Sequence, residues 1–146
     1  MGRLEASGAE RPRTSFVVVE QLEVCVLDEP RTVSTSVELA EVLAMRIDGG
    51  NHFEVASATS TFPMLDVMVH GSYAVVHWFA HEGATGEQAS SDVEEAPEEV
   101  AFRHSALGEK ITMPGSVLVD AGTAIACIEQ FAETLSRPTL VGWIDL

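Results

Sequence analysis

The chain has 146 residues, about the size of one domain, and 46% of them are apolar, so one core can form without a disulfide or metal. Its 23 acidic and 8 basic residues give a formal net charge of −15 at pH 7. Such a surface repels phosphate backbones and anionic lipids, which argues against direct binding to nucleic acid or membranes. A basic protein partner is favoured instead.

The first part of the sequence contains a polar segment followed by an apolar stretch. Residues 1–13 are polar and aperiodic, which predicts a disordered leader ahead of a domain over residues 14–146. No signal-peptide pattern is visible, and acidic residues interrupt the apolar stretch 16–27, which excludes a membrane span. Cys25 and Cys127 are interpreted as reduced thiols of a cytoplasmic protein, although the sequence leaves a bridge between them open.

The first predicted elements are a strand and a helix. Apolar residues occupy nearly every even position from Phe16 to Val26, which predicts a strand. Asp28-Glu29-Pro30 is predicted to turn the chain. Thr35 and Glu38 have the spacing of a capping box, which predicts the start of a helix that Gly49-Gly50 then ends.

A β-hairpin is the clearest pattern in the middle of the chain. Residues 52–58 form a predicted strand, and residues 64–70 and 73–79 form two more, joined by Gly71-Ser72. A two-residue loop with glycine first is typical of a type II′ turn and sets the register of the pair. The register predicts one wholly apolar face, directed at the core: Leu65, Val67, Val69, Ala74, Val76 and Trp78.

Residues 82–99 are acidic and contain no basic residue, and their glycine, serine and proline content favours a loop. Their carboxylates are Glu82, Glu87, Asp92, Glu94, Glu95, Glu98 and Glu99. Residues 100–104 form a predicted strand, Asp120 is the predicted N-cap of an amphipathic helix that extends to about Ser136, and residues 140–144 form a last strand. This order predicts a single-domain α+β fold with a largely antiparallel sheet and two main helices.

One pair of side chains, Asp66 and His77, has the chemistry of a catalytic site. The hairpin register places Asp66 opposite His77 on the less apolar face, where the pair could act as a base with its orienting carboxylate. The favoured interpretation is an ordinary cross-strand charge pair, because no nucleophile motif such as G-x-S-x-G lies nearby. His77 and His81 are four residues apart at the end of a strand, which does not bring their side chains together. Neither a metal site nor a cofactor is therefore expected.

Two parts of the chain resemble a known family. Residues 64–79 resemble the central hairpin of the first immunity-protein family of bacterial polymorphic toxin systems. The closing pattern of a helix, Arg137-Pro138 and a short strand with Trp143 resembles the end of that family's chains. The likeness is to the member that neutralises a double-stranded-DNA cytidine deaminase toxin in particular, and this chain departs from it in its leader and in its long acidic segment.

The resemblance implies a small α+β protein, encoded beside a toxin, that protects the producing cell by binding the toxin. We expect it to act without catalysis, by covering the toxin's substrate cleft, because an acidic inhibitor can occupy the basic cleft of a toxin that acts on nucleic acid. The expected partner is a basic toxin domain of the deaminase type, and the seven acidic residues of 82–99 are its candidate binding residues. The alternative for those residues is a solvated loop. Trp143, Trp78 and Pro138 are expected to be structural, with Trp143 largely buried against the helix 121–136.

Two other functions remain open from the sequence. One is a small α+β enzyme that uses Asp66 and His77, which requires a concave pocket with a nucleophile or a cofactor site beside the pair. The other is a self-associating domain with no toxin partner.

Overall fold

An antiparallel sheet forms the centre of the computed structural model, which describes residues 16–146. Its strands follow the order β10-β6-β5-β4-β3-β1-β2, with β9 beside β5, and β7 and β8 form a separate hairpin. The strands are β1 (Leu22–Val26), β2 (Glu29–Val33), β3 (Gly50–Ser57), β4 (Ser60–His70), β5 (Tyr73–Phe79), β6 (Glu87–Ala89), β7 (Glu99–Arg103), β8 (Lys110–Pro114), β9 (Val119–Asp120) and β10 (Trp143–Asp145). The helices are α1 (Ser36–Leu43) and α2 (Ala121–Thr134), and a 3₁₀ turn covers Gly115–Val117.

The predicted hairpin register is confirmed. Leu65 pairs with Trp78 and Asp66 with His77 across β4 and β5. Gly71 has a φ of 59° and Ser72 does not have a positive φ, as expected of a type II′ turn.

The main core lies between the apolar face of the sheet and the two helices. All six side chains of the predicted face belong to it, together with Leu39 and Leu43 of α1 and Ile128 and Phe131 of α2. The ring of Trp78 meets that of Phe131 edge to face, with centroids 5.7 Å apart. The fold is therefore α+β with a largely antiparallel sheet and two helices, as predicted.

The second face of the sheet is covered only in part. The β7–β8 hairpin lies over it and closes a smaller cluster around Met68, Val75, Phe102 and Leu118. Val93 of the acidic segment packs against this cluster. The sequence indicated a strand at residues 100–104, but its partner β8 was missed because its alternation rests on only two apolar residues, Ile111 and Met113.

Both predicted helix starts are confirmed. The hydroxyl of Thr35 accepts a hydrogen bond from the Glu38 amide at 3.1 Å, and the Glu38 carboxylate accepts one from the Thr35 amide at 3.1 Å. Asp120 caps α2 by accepting from the Gly122 amide at 2.9 Å. These side chains satisfy amides that have no partner inside the helix.

The predicted end of α1 at Gly49-Gly50 is wrong. The helix ends at Leu43, and Asp48 and Gly49, with φ of 52° and 83°, form the turn that pairs Ile47 with Gly50. Two successive positive φ angles are the requirement of a tight hairpin turn, which aspartate followed by glycine meets well.

The predictions for the first strand were also partly wrong. The strand begins at Leu22, because the amide of Val19 bonds the Ala132 carbonyl of α2 at 2.9 Å instead of joining the sheet. The turn comes at Leu27 and Asp28, so residues 29–33 become the edge strand β2. Pro30 is tolerated there because an edge strand does not need every amide as a donor. The predicted leader 1–13 lies outside the described residues.

The three residues expected to be structural differ in burial. Trp78 and Pro138 are buried, whereas Trp143 is partly buried and packs against the main core. The indole of Trp143 donates to the Pro138 carbonyl at 2.9 Å, and the Arg137 guanidinium lies 5.9 Å from its ring centre. Within residues 16–146, neither helix has the length and apolarity that crossing a bilayer requires.

Replacement of Trp143 by alanine should lower the free energy of unfolding by about 2 kcal/mol, below the 3–5 kcal/mol typical of fully buried aromatics. Trp143→Phe keeps most of the ring packing and loses only the indole hydrogen bond, so it should recover more than half of that loss. Urea unfolding of the two variants measures the difference. Equal losses in both would show that packing of the ring contributes nothing.

Candidate functional site

Five carboxylates of the acidic segment 82–99 extend into solvent. They are Glu82, Glu94, Glu95, Glu98 and Glu99. Among residues 16–146, no hydrogen bond or ion pair holds their side chains. Their mutual repulsion is therefore not compensated by a contact with another described residue, and a cation from a partner can relieve it.

The other two carboxylates attach the acidic segment to the fold. Asp92 accepts hydrogen bonds from the Asp120 amide and the Thr123 hydroxyl, both at 2.9 Å, and so ties the segment to the start of α2. Glu87 lies in β6 and pairs with Arg137 at 2.5 Å. The prediction of a mere loop was incomplete, because β6 joins the segment to the sheet between β5 and β10.

Asp66 and His77 face each other in the register but do not bond each other. The Asp66 carboxylate lies 2.5 Å from Nε2 of His52 on β3, and Nε2 of His77 lies 3.2 Å from the Gln88 side chain on β6. The predicted cross-strand charge pair is therefore wrong. Each side chain finds its partner on the strand that flanks the hairpin, because β4 and β5 both have a second neighbour.

His52 is the buried ionisable group that sequence reasoning missed. Its Nε2 faces the Asp66 carboxylate, and its Nδ1 lies 2.9 Å from the His104 carbonyl at the end of β7. Both neighbours are acceptors, so the ring satisfies them together only as an imidazolium that donates from both nitrogens. The His104 ring stacks on it with centroids 5.2 Å apart.

The surroundings of His52 favour its charged form. Burial disfavours the charge, but the hydrogen bond and the Coulombic attraction of Asp66 outweigh it and raise the pKa of His52 from 6.5 to about 9. Glu54 on the same face adds to the attraction, and its own pKa is raised by burial and by the nearby Asp66. The imidazolium thus joins two sheet strands to the β7–β8 hairpin.

A cavity of about 720 Å³ opens beside the tip of that hairpin. Its wall is mainly apolar, with Val26, Leu27, Met45, Ile47 and Ala106. The β1–β2 turn forms its rim, where Asp28, Glu29 and Arg31 lie. Neither Asp66 nor His77 lines this cavity. It is therefore not the pocket beside that pair that the alternative function, a small enzyme, requires.

The remaining ligand-type residues do not assemble into a site. Among residues 16–146, no group of three histidine, cysteine or acidic side chains has the geometry to hold a metal ion. Cys25 and Cys127 are free thiols. Burial raises the pKa of Cys127 to about 12, and burial and nearby carboxylates raise that of Cys25.

A comparison with protein families identifies the class to which the chain belongs. Residues 28–145, most of the chain, match the family model described as immunity protein Imm1. A search of curated proteins gives no match. The molecule is thus an immunity protein, a class whose partner is a cognate toxin protein that it neutralises. The chain belongs to the Imm1 family, as the hairpin and the closing Arg-Pro and tryptophan pattern predicted.

The charged state of His52 predicts a specific dependence of stability on pH. Its folded pKa of about 9 exceeds the unfolded value of 6.5, so its contribution is complete below pH 6.5 and is lost as the pH rises through 9. The free energy of unfolding should fall by on the order of 3 kcal/mol over that range. Urea titrations at pH 6 and pH 9.5 measure the change.

Two histidine-to-glutamine variants test this prediction: His52→Gln removes the ionisable group, and His77→Gln is its matched control. His52→Gln should be less stable than wild type at pH 6 and should lose most of the pH dependence. His77→Gln should keep it, because the partners of that ring, Gln88 and Phe79, are neutral. An identical pH dependence in wild type and His52→Gln would contradict the imidazolium.

Proposed function

We propose that this immunity protein neutralises a toxin that acts on nucleic acid, such as a deaminase, by covering the toxin's substrate cleft. The observation that carries the proposal is the acidic segment 82–99, whose five exposed carboxylates have no partner among the described residues. A toxin that binds nucleic acid needs a basic cleft to attract phosphates. An acidic protein surface can occupy the same potential and exclude the substrate.

The segment is suited to this role because it is held in place. Asp92 fixes it to α2, β6 fixes it to the sheet, and Val93 packs into the second cluster. A surface that is already ordered loses less conformational entropy on binding. The carboxylates can therefore meet the toxin in a fixed arrangement and not as a flexible tail.

The proposal includes two further points. The protein acts without catalysing a reaction, which is supported by the separate partners of Asp66 and His77. It acts in the cytoplasm, as expected of a chain with two free thiols. Its net charge of −15 also argues against nucleic acid as its own ligand.

The role of the segment predicts a change in association rate. Glu94, Glu95, Glu98 and Glu99 replaced together by glutamine should slow association with the toxin at least tenfold at low salt and flatten its salt dependence, because complementary charge acts mainly on encounter. Dissociation and unfolding should change little. Stopped-flow mixing with the catalytically inactive toxin domain encoded beside this chain gives both rates.

The control variant must remove the same number of negative charges at positions outside the acidic segment. A quadruple glutamine or asparagine variant at Glu20, Glu23, Glu41 and Asp145 does so, since all four are exposed and lie outside the segment. It should slow association far less. Equal slowing in the two variants would mean that only the total charge matters, and wild-type rates in the first would show a solvated loop.

A further inference from the structure

The most exposed large apolar side chain among the described residues is Leu107, at 92% exposure. It stands in the loop between β7 and β8, next to Ala106, which forms part of the cavity wall. A single exposed leucine is ordinary on a protein surface. Here, however, its chain neighbour Ala106 lines a mainly apolar cavity whose volume is that of a ligand pocket.

The loop that carries Leu107 is held rigidly. The His104 amide bonds the Glu109 carbonyl at 2.8 Å, and the Gly108 amide bonds the Ser105 carbonyl at 3.1 Å. His52 holds the loop to the sheet through the His104 carbonyl. The Ala106 amide lies 3.3 Å from the Asp28 carboxylate on the cavity rim. Binding through a leucine on a loop that is already ordered costs little conformational entropy.

Charge decides which occupant the cavity favours. Asp28 and Glu29 are exposed on its rim, and Arg31 neutralises only Glu29, at 3.1 Å. The rim is thus net negative, as is the whole chain at −15. A second copy of this chain would bring the same charge and be repelled, whereas a cationic partner would be attracted.

We propose that Leu107 and the adjoining cavity form the apolar anchor site for the toxin, taking an apolar toxin side chain that is flanked by a lysine or arginine directed at Asp28. The inference rests on the proposed function and deepens it. The site is distinct from the acidic segment: that segment sets the rate of encounter, while buried apolar anchors set the rate of dissociation.

The test is the dissociation rate of the complex with the catalytically inactive toxin domain encoded beside this chain, measured by surface plasmon resonance. Leu107→Ala should raise the dissociation rate at least tenfold and leave association unchanged, and Ile47→Ala on the cavity wall should act in the same direction. Leu140→Ala is the matched control, because this leucine is 55% exposed and does not line the cavity. It should leave both rates as in wild type.

The outcomes separate the two proposals. If wild type binds and Leu107→Ala dissociates at the wild-type rate, the anchor site is overturned and the proposed function stands. If wild type does not bind this toxin, both fall. Sedimentation adds a third outcome: a wild-type dimer that Leu107→Ala dissolves, with toxin binding intact, would make the surface a self-association site and overturn the proposal. Circular dichroism melts confirm that each variant folds.

Discussion

The two-residue turn at Gly71-Ser72 is the constraint on which the rest of the structure depends. It sets β4 against β5 in one register, and a slip by one residue would place the apolar side chains of one strand on the same face as the polar side chains of the other. In the observed register, one face carries only apolar side chains and receives α1 and α2. The other carries Asp66, Met68 and His77, and so can hold both a small apolar cluster and an ionised site.

Part of the fold could be predicted from the sequence and part could not, because some elements depend on nearby residues and others on distant ones. The hairpin, the Thr35–Glu38 cap and the Asp120 cap depend on residues close in sequence, and local chemistry determines them. The predicted end of α1 is wrong for a different reason. Asp48-Gly49 is a hairpin signal, but it follows a helical pattern, so the glycines resemble a helix C-cap. Strands β2, β6 and β8 are short and have weak patterns, so their neighbours in the sheet determine them.

The candidate site shows the same limit. The acidic run was visible in the composition, but its attachment through Asp92 to α2 depends on residues 28 positions apart in sequence. His52 was missed because its partners, Asp66 and His104, come from two other elements. Each of these residues is visible in the sequence, but only the pairing of β3 with β4 and the packing of the β7–β8 hairpin together bring two acceptors to one ring.

The pairing of β6 with β10 has a consequence for the order in which the protein matures. Residues 87–89 gain their outer neighbour only from residues 143–145. A ribosome emits the chain from its amino end, so the whole acidic segment leaves the exit tunnel before β10, the strand that completes its side of the sheet. The Asp92 contacts to α2 also wait for later residues. A half-made chain therefore carries the negative charges of the segment before it has the contacts that give them their final arrangement.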